Sequence, residues 1–353
     1  MRKGKRLIAW IMAVVMLFTI CVFGGNGTAE AAATTPVAKH GRLSVKGADL
    51  VDSKGNKFQL RGISTHGINW DVGSPYVNKK AFKTLRDDWG VNAIRLAMYT
   101  EEYNGYCSGG SQAKLRKLVD KGVGYATDLG MYAIIDWHIL SDGNPNKNKS
   151  QAKKFFTTMA KKYKNNKNVI YEICNEPNGC GWKEIKSYAT DIIKTIRKYD
   201  KKAVIIVGTP TWSQLGTDGT SNEVADSPIK GYKNIMYSLH FYASEWAHNE
   251  YLPAKVAYAR KKKLPIIVSE FGLSPASGDG AINKASADKW MKLLNKYNIS
   301  YFCWSLSNKN ESAYLLKPST KKTSGWKSGD LSTAGKYIKK KYLARKKALG
   351  KKA

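Results

Sequence analysis

The chain has 353 residues, with 59 Lys and Arg against 27 Asp and Glu, and a formal net charge of +32. At 42% hydrophobic and 11% aromatic it is too apolar for a disordered chain, and it has no collagen-like or cysteine-dense signature. The length allows one large domain or two ordinary ones, and the charge suits a nucleic-acid binder or a protein drawn to anionic surfaces.

Residues 1–31 read as a secretory signal peptide. Arg2, Lys3, Lys5 and Arg6 form a basic start, Leu7 to Phe23 is an apolar run, and Ala29-Glu30-Ala31 offers small residues for cleavage. A membrane anchor is the competing reading, because the run nearly spans a bilayer. No other segment approaches that length, so no membrane attachment is expected once the leader is cleaved. An exported chain rarely meets intracellular nucleic acid, and that reading of the charge falls away. Of the remaining cysteines, Cys107, Cys174, Cys180 and Cys303 lack the C-x-x-C spacing of a zinc site. An oxidising compartment leaves room for a bridge between Cys107 and Cys180, both in Gly-rich sequence, although free thiols remain the favoured expectation. Cys174 and Cys303 lie in apolar strands and read as small buried residues.

Residues 32–42 are a polar N-terminal segment. Leu43 to Asp52 and Lys57 to Gln59 alternate around the turn Asp52-Ser53-Lys54-Gly55, which predicts a short hairpin. Apolar, β-rich runs then begin near Leu60, Ala93, Tyr132, Val169, Val204, Ile235, Ile266 and Tyr301, at intervals of roughly 31 to 39 residues, the length of a strand–helix unit. Helical stripes fall between them. Leu115, Leu118, Val119, Ala126 and Leu129 end at Gly130, a good residue just past a helix. Phe155, Met159 and Tyr163 follow Ser150 as a candidate N-cap. Ile185, Tyr188, Ala189, Ile192, Ile196 and Tyr199 form another stripe, and Trp290, Leu293, Leu294 and Tyr297 a fourth. Eight such units predict an α/β fold, a (β/α)8 TIM barrel over residues 43–345 with a short N-terminal β-hairpin. A doubly wound open sheet is the runner-up, but Arg61-Gly62-Ile63-Ser64-Thr65-His66-Gly67 does not supply its G-x-G-x-x-G loop. Residues 346–353 read as a basic C-terminal tail.

Barrel chemistry sits at the C-terminal ends of the strands, and the strand ends here are polar. They lead to His66, Arg95, Asp136-Trp137-His138, Asn175-Glu176, Trp212, His240-Phe241-Tyr242, Glu270 and Trp304. A glutamate closing an apolar strand costs desolvation unless it is paired or used. Two of them, Glu176 and Glu270, together with Asn175 and Arg95 are the pattern that glycosidic cleavage needs, one group donating a proton and the other attacking the anomeric carbon or activating water. His66, His138 and His240 include no H-x-H, and no H-E-x-x-H occurs, so no catalytic metal or cofactor is expected. G-x-S-x-G is absent too. Trp70, Tyr99, Trp212 and Trp304 lie at or past strand ends, where rings can stack on the C–H faces of sugars.

Asn175-Glu176-Pro177, preceded by Asp136-Trp137-His138 and followed by His240-Phe241-Tyr242 and Glu270-Phe271-Gly272, resembles glycoside hydrolase family 5. Ile94-Arg95-Leu96-Ala97-Met98-Tyr99, Asp142-Gly143-Asn144-Pro145, Gly208-Thr209-Pro210-Thr211-Trp212-Ser213-Gln214, Ser307-Asn308-Lys309-Asn310-Glu311-Ser312 and Gly325-Trp326 narrow the resemblance to its bacterial endo-1,4-β-glucanases, or cellulases. The likeness runs from about Leu43 to Leu343. Phe271 stands where many members have Trp, and the lysine content and the tail are not family features.

The resemblance implies a secreted endo-acting, retaining β-1,4-glucanase without metal, with Glu176 as acid–base and Glu270 as nucleophile. It implies support from Arg95, His138, Asn175, His240 and Tyr242. Arg95 and Tyr242 are expected to hydrogen-bond Glu270 and keep it ionised, and Glu176 is expected to have a raised pKa. Sugar contacts are expected from His66, Trp70, Trp304, Lys309 and Glu311, and from Tyr99 and Trp212. β-Mannan, lichenan or xylan is the alternative substrate, and a non-catalytic wall-polysaccharide-binding protein is the alternative of another class. The expected partner is a β-glucan, met by a monomer, with the charge holding the protein near anionic cell-wall polymers.

Overall fold

A computed structural model describes residues 35–350. The leader reading of residues 1–31 and the last three residues of the basic tail lie outside the described residues.

The described chain opens on a five-residue helix, α1 (Pro36–His40), and a two-stranded antiparallel hairpin, β1 (Ser44–Lys46) and β2 (Asp49–Val51). The hairpin does not turn at Asp52–Gly55. It turns at Gly47-Ala48, where Gly47 takes a φ of +58° that side chains disfavour. The Asp52–Gly55 turn instead leads to a single bridge between Val51 and Lys57.

Eight parallel strands follow and close into a barrel: β3 (Arg61–Thr65), β4 (Ala93–Tyr99), β5 (Tyr132–His138), β6 (Val169–Glu172), β7 (Ile205–Val207), β8 (Ile235–Tyr242), β9 (Ile266–Gly272) and β10 (Tyr301–Leu306), the last pairing with β3. Each starts within one residue of its expected position. The outer helices are α2 (Lys79–Trp89), α3 (Gln112–Asp128), α4 (Lys149–Tyr163), α5 (Trp182–Arg197), α6 (Trp246–Lys261), α7 (Lys284–Lys296) and α8 (Thr333–Gly350). Their stripes are the expected ones: Leu115, Val119 and Ala126 are buried on α3, and Ile185, Tyr188, Ala189, Ile192 and Ile196 on α5. Gly130 follows α3 at φ +62°. Ser150 does not cap α4; it lies inside the helix, whose N-cap position is Asn148. Helix α8 continues through residues 346–350, into the segment read as tail. Its Tyr342 is fully buried and donates to the Gly62 carbonyl at 2.8 Å.

Inward positions recur at every second residue of a barrel strand. Near the strand N-termini they are apolar: Ala93, Tyr132, Ile134, Ile170, Ile206, Met236, Ile267 and Phe302 pack with Leu43, Leu50, Phe58 and Leu60, so the hairpin region plugs that end. Further along the same faces stand Arg95, Asp136, Glu172, Ser238 and Ser269, all fully buried. The barrel interior thus changes from oil to a polar layer as it nears the C-terminal mouth.

Strand β9 breaks the alternation. Ser238 pairs with Ile267, but His240 pairs with Glu270; Tyr301 pairs with Val268, but Cys303 with Phe271. Both neighbours therefore advance by two residues where β9 advances by three. One extra residue sits in β9, a bulge of the kind that re-aims side chains beside active sites. It lets the adjacent Ser269 and Glu270 both reach the mouth of the barrel.

Candidate active site

Arg95 organises the polar layer. Its guanidinium reaches Glu172 Oε2 at 2.7 Å, Asp136 Oδ2 at 3.0 Å, Glu270 Oε2 at 3.0 Å and Asn175 Oδ1 at 2.5 Å. A fully buried cation is tolerable only with such partners, and a planar fork with five donors is the group that can serve four acceptors at once.

Glu270 takes a second hydrogen bond from Tyr242, whose hydroxyl donates to Oε1 at 2.8 Å. The tyrosine ring lies so close to Gly272 that a Cβ there would stand 2.5 Å from it, so this position admits only glycine. Glu176 comes from the loop after β6. That loop is clamped from both sides: Asn175 N and Glu176 N donate to Trp137 O and Ile139 O at 3.2 and 3.3 Å, and Ser213 Oγ donates to Asn175 O at 2.7 Å. The Asn175 amide also donates to Ile139 O at 3.1 Å and lies 3.3 Å from His138 Nε2. His240 Nδ1 is 2.8 Å from Glu176 Oε1.

One ligand-type atom each from Glu176, His240 and Glu270 falls within 4.8 Å of the others. These are donor types that could bind a cation, at a site the sequence reads as metal-free. Here, however, Arg95 already places a positive charge against Glu270. An oxygen of Glu176 and one of Glu270 lie within 4.8 Å of each other, close enough for both groups to reach one bond.

Their environments differ. Burial raises the Glu176 carboxyl to about 8, with Asp136 and Glu172 adding to the rise and Arg95 opposing it from a distance. Burial and the neighbouring Glu176 also raise Glu270 above the ordinary carboxylate range, while His240 and Arg95 pull it down. The contacts expected to keep Glu270 ionised are present, but they offset the effect of burial rather than reverse it. Only Glu270 touches the guanidinium, so Glu176 is the member of the pair that holds a proton. Burial lowers His240 to about 4 and His138 to about 3, so both imidazoles are neutral at pH 7. His138 Nδ1 sits 2.6 Å from Asp136, which burial raises to about 7.

The aromatic residues form a wall on one side of the mouth. His66 packs against Trp70, Trp304 and Tyr314 with ring centroids 5.1 to 5.4 Å apart. Trp70 lies 4.5 Å from Tyr99, and His138 stacks on Trp304 at 5.2 Å and 17°. Lys309 and Glu311 form an ion pair on the loop after β10, with the Lys309 amine over the Tyr314 ring. Trp212 stands apart, 47% exposed on the loop after β7. Thr211, Trp212, Ser213 and Leu215 all have φ between +52° and +64°, a cluster of left-handed non-glycine residues costing about 1–3 kcal/mol each.

Several groups at this end were not singled out from sequence. Glu172 and Tyr314 serve Arg95 and His66 but read as ordinary strand and loop residues. Tyr103, 81% exposed, accepts the Trp70 indole N–H at its carbonyl, and Trp246 is 68% exposed at the start of α6. An aromatic residue just past a strand end was the available signal for both. Cys107, Cys174, Cys180 and Cys303 are all free thiols, so the Cys107–Cys180 bridge does not form.

The family described as Cellulase (glycosyl hydrolase family 5) matches residues 51–310. An endoglucanase from Clostridium saccharobutylicum is 47% identical over 341 residues, covering 95% of this chain and 72% of the relative. Endoglucanase 5 of Pectobacterium carotovorum subsp. carotovorum is 44% identical over 325 residues, covering 92% of this chain and 62% of that protein. The catalytic domain of Thermobifida fusca endoglucanase Cel5A (E5) superposes with a TM-score of 0.81 at 37% identity, covering 88% of this chain and 99% of that one. Cellulase Cel5C_n gives 0.82 at 39% identity, covering 88% and 94%.

Proposed function

The chain belongs to glycosyl hydrolase family 5 and is an endo-β-1,4-glucanase; from that premise we propose that it cleaves internal bonds by retaining double displacement, with Glu176 as acid–base and Glu270 as nucleophile. The observation that carries the mechanism is the approach of the two carboxylates to within 4.8 Å. Retaining enzymes hold the pair about 5–5.5 Å apart, whereas inverting enzymes need room for a water between them.

In the first step Glu270 attacks the anomeric carbon while Glu176 protonates the departing glycosidic oxygen. In the second, Glu176, now a carboxylate, takes a proton from water, which displaces Glu270 from the sugar. Arg95 and Tyr242 hold Glu270 in line and keep its charge. The aromatic wall of Trp70, Tyr99 and Trp304, with His66, offers stacking faces to one side of the cleavage point, and Trp212 to another.

Azide rescue tests the assignment. Glu270→Ala and Glu176→Ala should each lose activity; azide should give the inverted glycosyl azide with the first and the retained one with the second. A swapped pattern would reverse the roles. Carboxymethylcellulose should lose viscosity faster than reducing ends accumulate, and side-by-side rates on β-mannan, lichenan and xylan would reveal another preferred substrate.

Export through residues 1–31, action as a monomer and retention near anionic wall polymers belong to the same reading. The last is supported by a cleft of about 650 Å³ whose lining includes Arg42, Lys164, Lys167, Lys201 and Lys202, with Asp200 as its one acidic residue. Residues 164–167 and 201–202 precede β6 and β7, so this cleft lies on the face opposite the mouth and leaves the active site free. Moderate salt should release the protein from anionic wall fragments; release that ignores salt, or no binding, would leave the charge to solubility alone.

A further inference from the structure

A chain of side-chain hydrogen bonds runs from the barrel wall to Glu176. Ser238 Oγ bonds Ser269 Oγ, Ser269 Oγ lies 2.9 Å from His240 Nε2, and His240 Nδ1 lies 2.8 Å from Glu176 Oε1. Both serines are fully buried and His240 is 2% exposed, so none of these groups can turn to bulk water.

The direction of the chain follows from counting hydrogens. Each hydroxyl has one to give. Among the described residues the Ser238 hydroxyl has a single partner, Ser269 Oγ, and so its hydrogen points there. Ser269 must then give its own hydrogen to its other neighbour, His240 Nε2. That nitrogen is an acceptor, which leaves the hydrogen of the neutral ring on Nδ1, facing Glu176 Oε1. The reverse direction would leave the buried Ser238 hydrogen with no acceptor, the arrangement that buried polar groups avoid.

We propose that Ser269, oriented by Ser238, is a positioning residue that locks His240 in the Nδ1–H tautomer, so that Glu176 accepts on Oε1 and carries its catalytic proton on Oε2. The inference rests on Glu176 being the acid–base. Oε2 has no protein partner among the described residues. In the first step the Oε2–H bond breaks and its proton goes to the glycosidic oxygen; in the second a water proton returns to Oε2. His240 stays neutral throughout, and no proton crosses it. The titratable and charged groups around this pair are Glu172, whose Oε1 is 4.0 Å from His240 Nε2, Glu270, Arg95, Asp136, His138 and Tyr242. At 4.0 Å Glu172 is too far to serve as a hydrogen-bond acceptor for Nε2, so it does not rescue the other tautomer.

Nitrogen NMR of the wild-type protein labelled at histidine tests this directly. His240 should show a proton-bearing Nδ1 and a lone-pair-type Nε2. A lone-pair-type Nδ1 overturns the proposal, with no variant required. Ser238→Ala should keep the tautomer, because Ser269 still has His240 as its acceptor; Ser269→Ala should release it. In kinetics, Ser269→Ala should lower kcat/KM for phenyl β-cellobioside, which needs an acid, by about tenfold or more. The same variant should leave 2,4-dinitrophenyl β-cellobioside, whose leaving group needs no proton, nearly unchanged. Equal losses on both substrates would mean a merely structural role and would also overturn it. If azide fails to rescue Glu176→Ala to the retained product, the acid–base assignment itself fails; if rescue succeeds and the tautomer is wrong, only this inference falls.

Discussion

Replacing Arg95 by Met should destabilise the barrel and move the acidic limb of activity to higher pH. Among the described residues Arg95 is the one Lys or Arg in contact with Glu172, Asp136 and Glu270, at 2.7, 3.0 and 3.0 Å. At 3.0 Å and an effective dielectric constant of about 20, the contact with Glu270 is worth about 5.5 kcal/mol, or about 4 pKa units on that carboxylate. Proton uptake by Asp136 and Glu172, which lose the same cation, relieves part of this, so Glu270 should rise by at least about one unit. Taking one partner from a buried ion pair typically costs about 3–5 kcal/mol. The sign with pH is fixed by the direction of the shift. Carboxylates raised in the folded state bind protons more tightly there than in the unfolded chain. The penalty therefore grows as pH climbs from their unfolded value through the folded one. Asp136 already stands near 7 with the arginine present. The variant should thus differ least from wild type near pH 4 and most at neutral pH and above. Thermal unfolding at about pH 5 and 8, and kcat/KM against pH on a soluble β-glucan, measure both effects. An unmoved acidic limb, together with a stability loss under about 1 kcal/mol at both pH values, would refute the account of Arg95 as the organiser of the site.

Tyr242→Phe removes the 2.8 Å donor to Glu270; hydrogen bonds to charged groups are worth about 1.5–3 kcal/mol, so kcat/KM should fall about 10- to 100-fold, and a rise in KM with kcat intact would contradict this. In the wild-type enzyme kcat/KM should decline above about pH 8 as Glu176 gives up the proton that the first step uses, and Glu176→Gln should abolish that limb along with most activity on unactivated substrates. Trp326 is 1% exposed and packs against Trp89 and Tyr76, so Trp326→Ala should cost about 3–5 kcal/mol in denaturant unfolding without moving either pH limb; a pH-limb shift would mean that this tryptophan reaches the site.

The sequence made the barrel legible because eight apolar runs at strand–helix spacing leave few alternatives, and because helices α3 and α5 carry clean stripes. It misplaced the hairpin turn, since Asp52–Gly55 has stronger turn chemistry than Gly47-Ala48, and the position of the turn sets the register of the whole pairing. It took Ser150 for a cap because serine favours that role, but the helix begins earlier, at Lys149. The strained turn around Trp212 was hidden for the opposite reason: Thr211 and Trp212 are residues that avoid positive φ, and only the packed loops after β6 and β7 hold them there.

The site was legible where one residue type at a strand end is enough to be conspicuous, as with Glu176, Glu270, Arg95 and His240. It was not legible where function depends on two neighbours sharing a face. Strict alternation sends one of Ser269 and Glu270 into the barrel and the other out toward the helices. A reader who accepts Glu270 as catalytic must then assign Ser269 to the outer core. The bulge in β9 removes that exclusion, and nothing in Ile266-Ile267-Val268-Ser269-Glu270 announces it. Its consequence is chemical. On the proposed assignment, one strand delivers from adjacent positions the carboxylate that attacks and the hydroxyl that orients the imidazole against the carboxylate that donates the proton. Deleting a residue from β9 to restore regular pairing should therefore silence both steps of the reaction while leaving the barrel able to close.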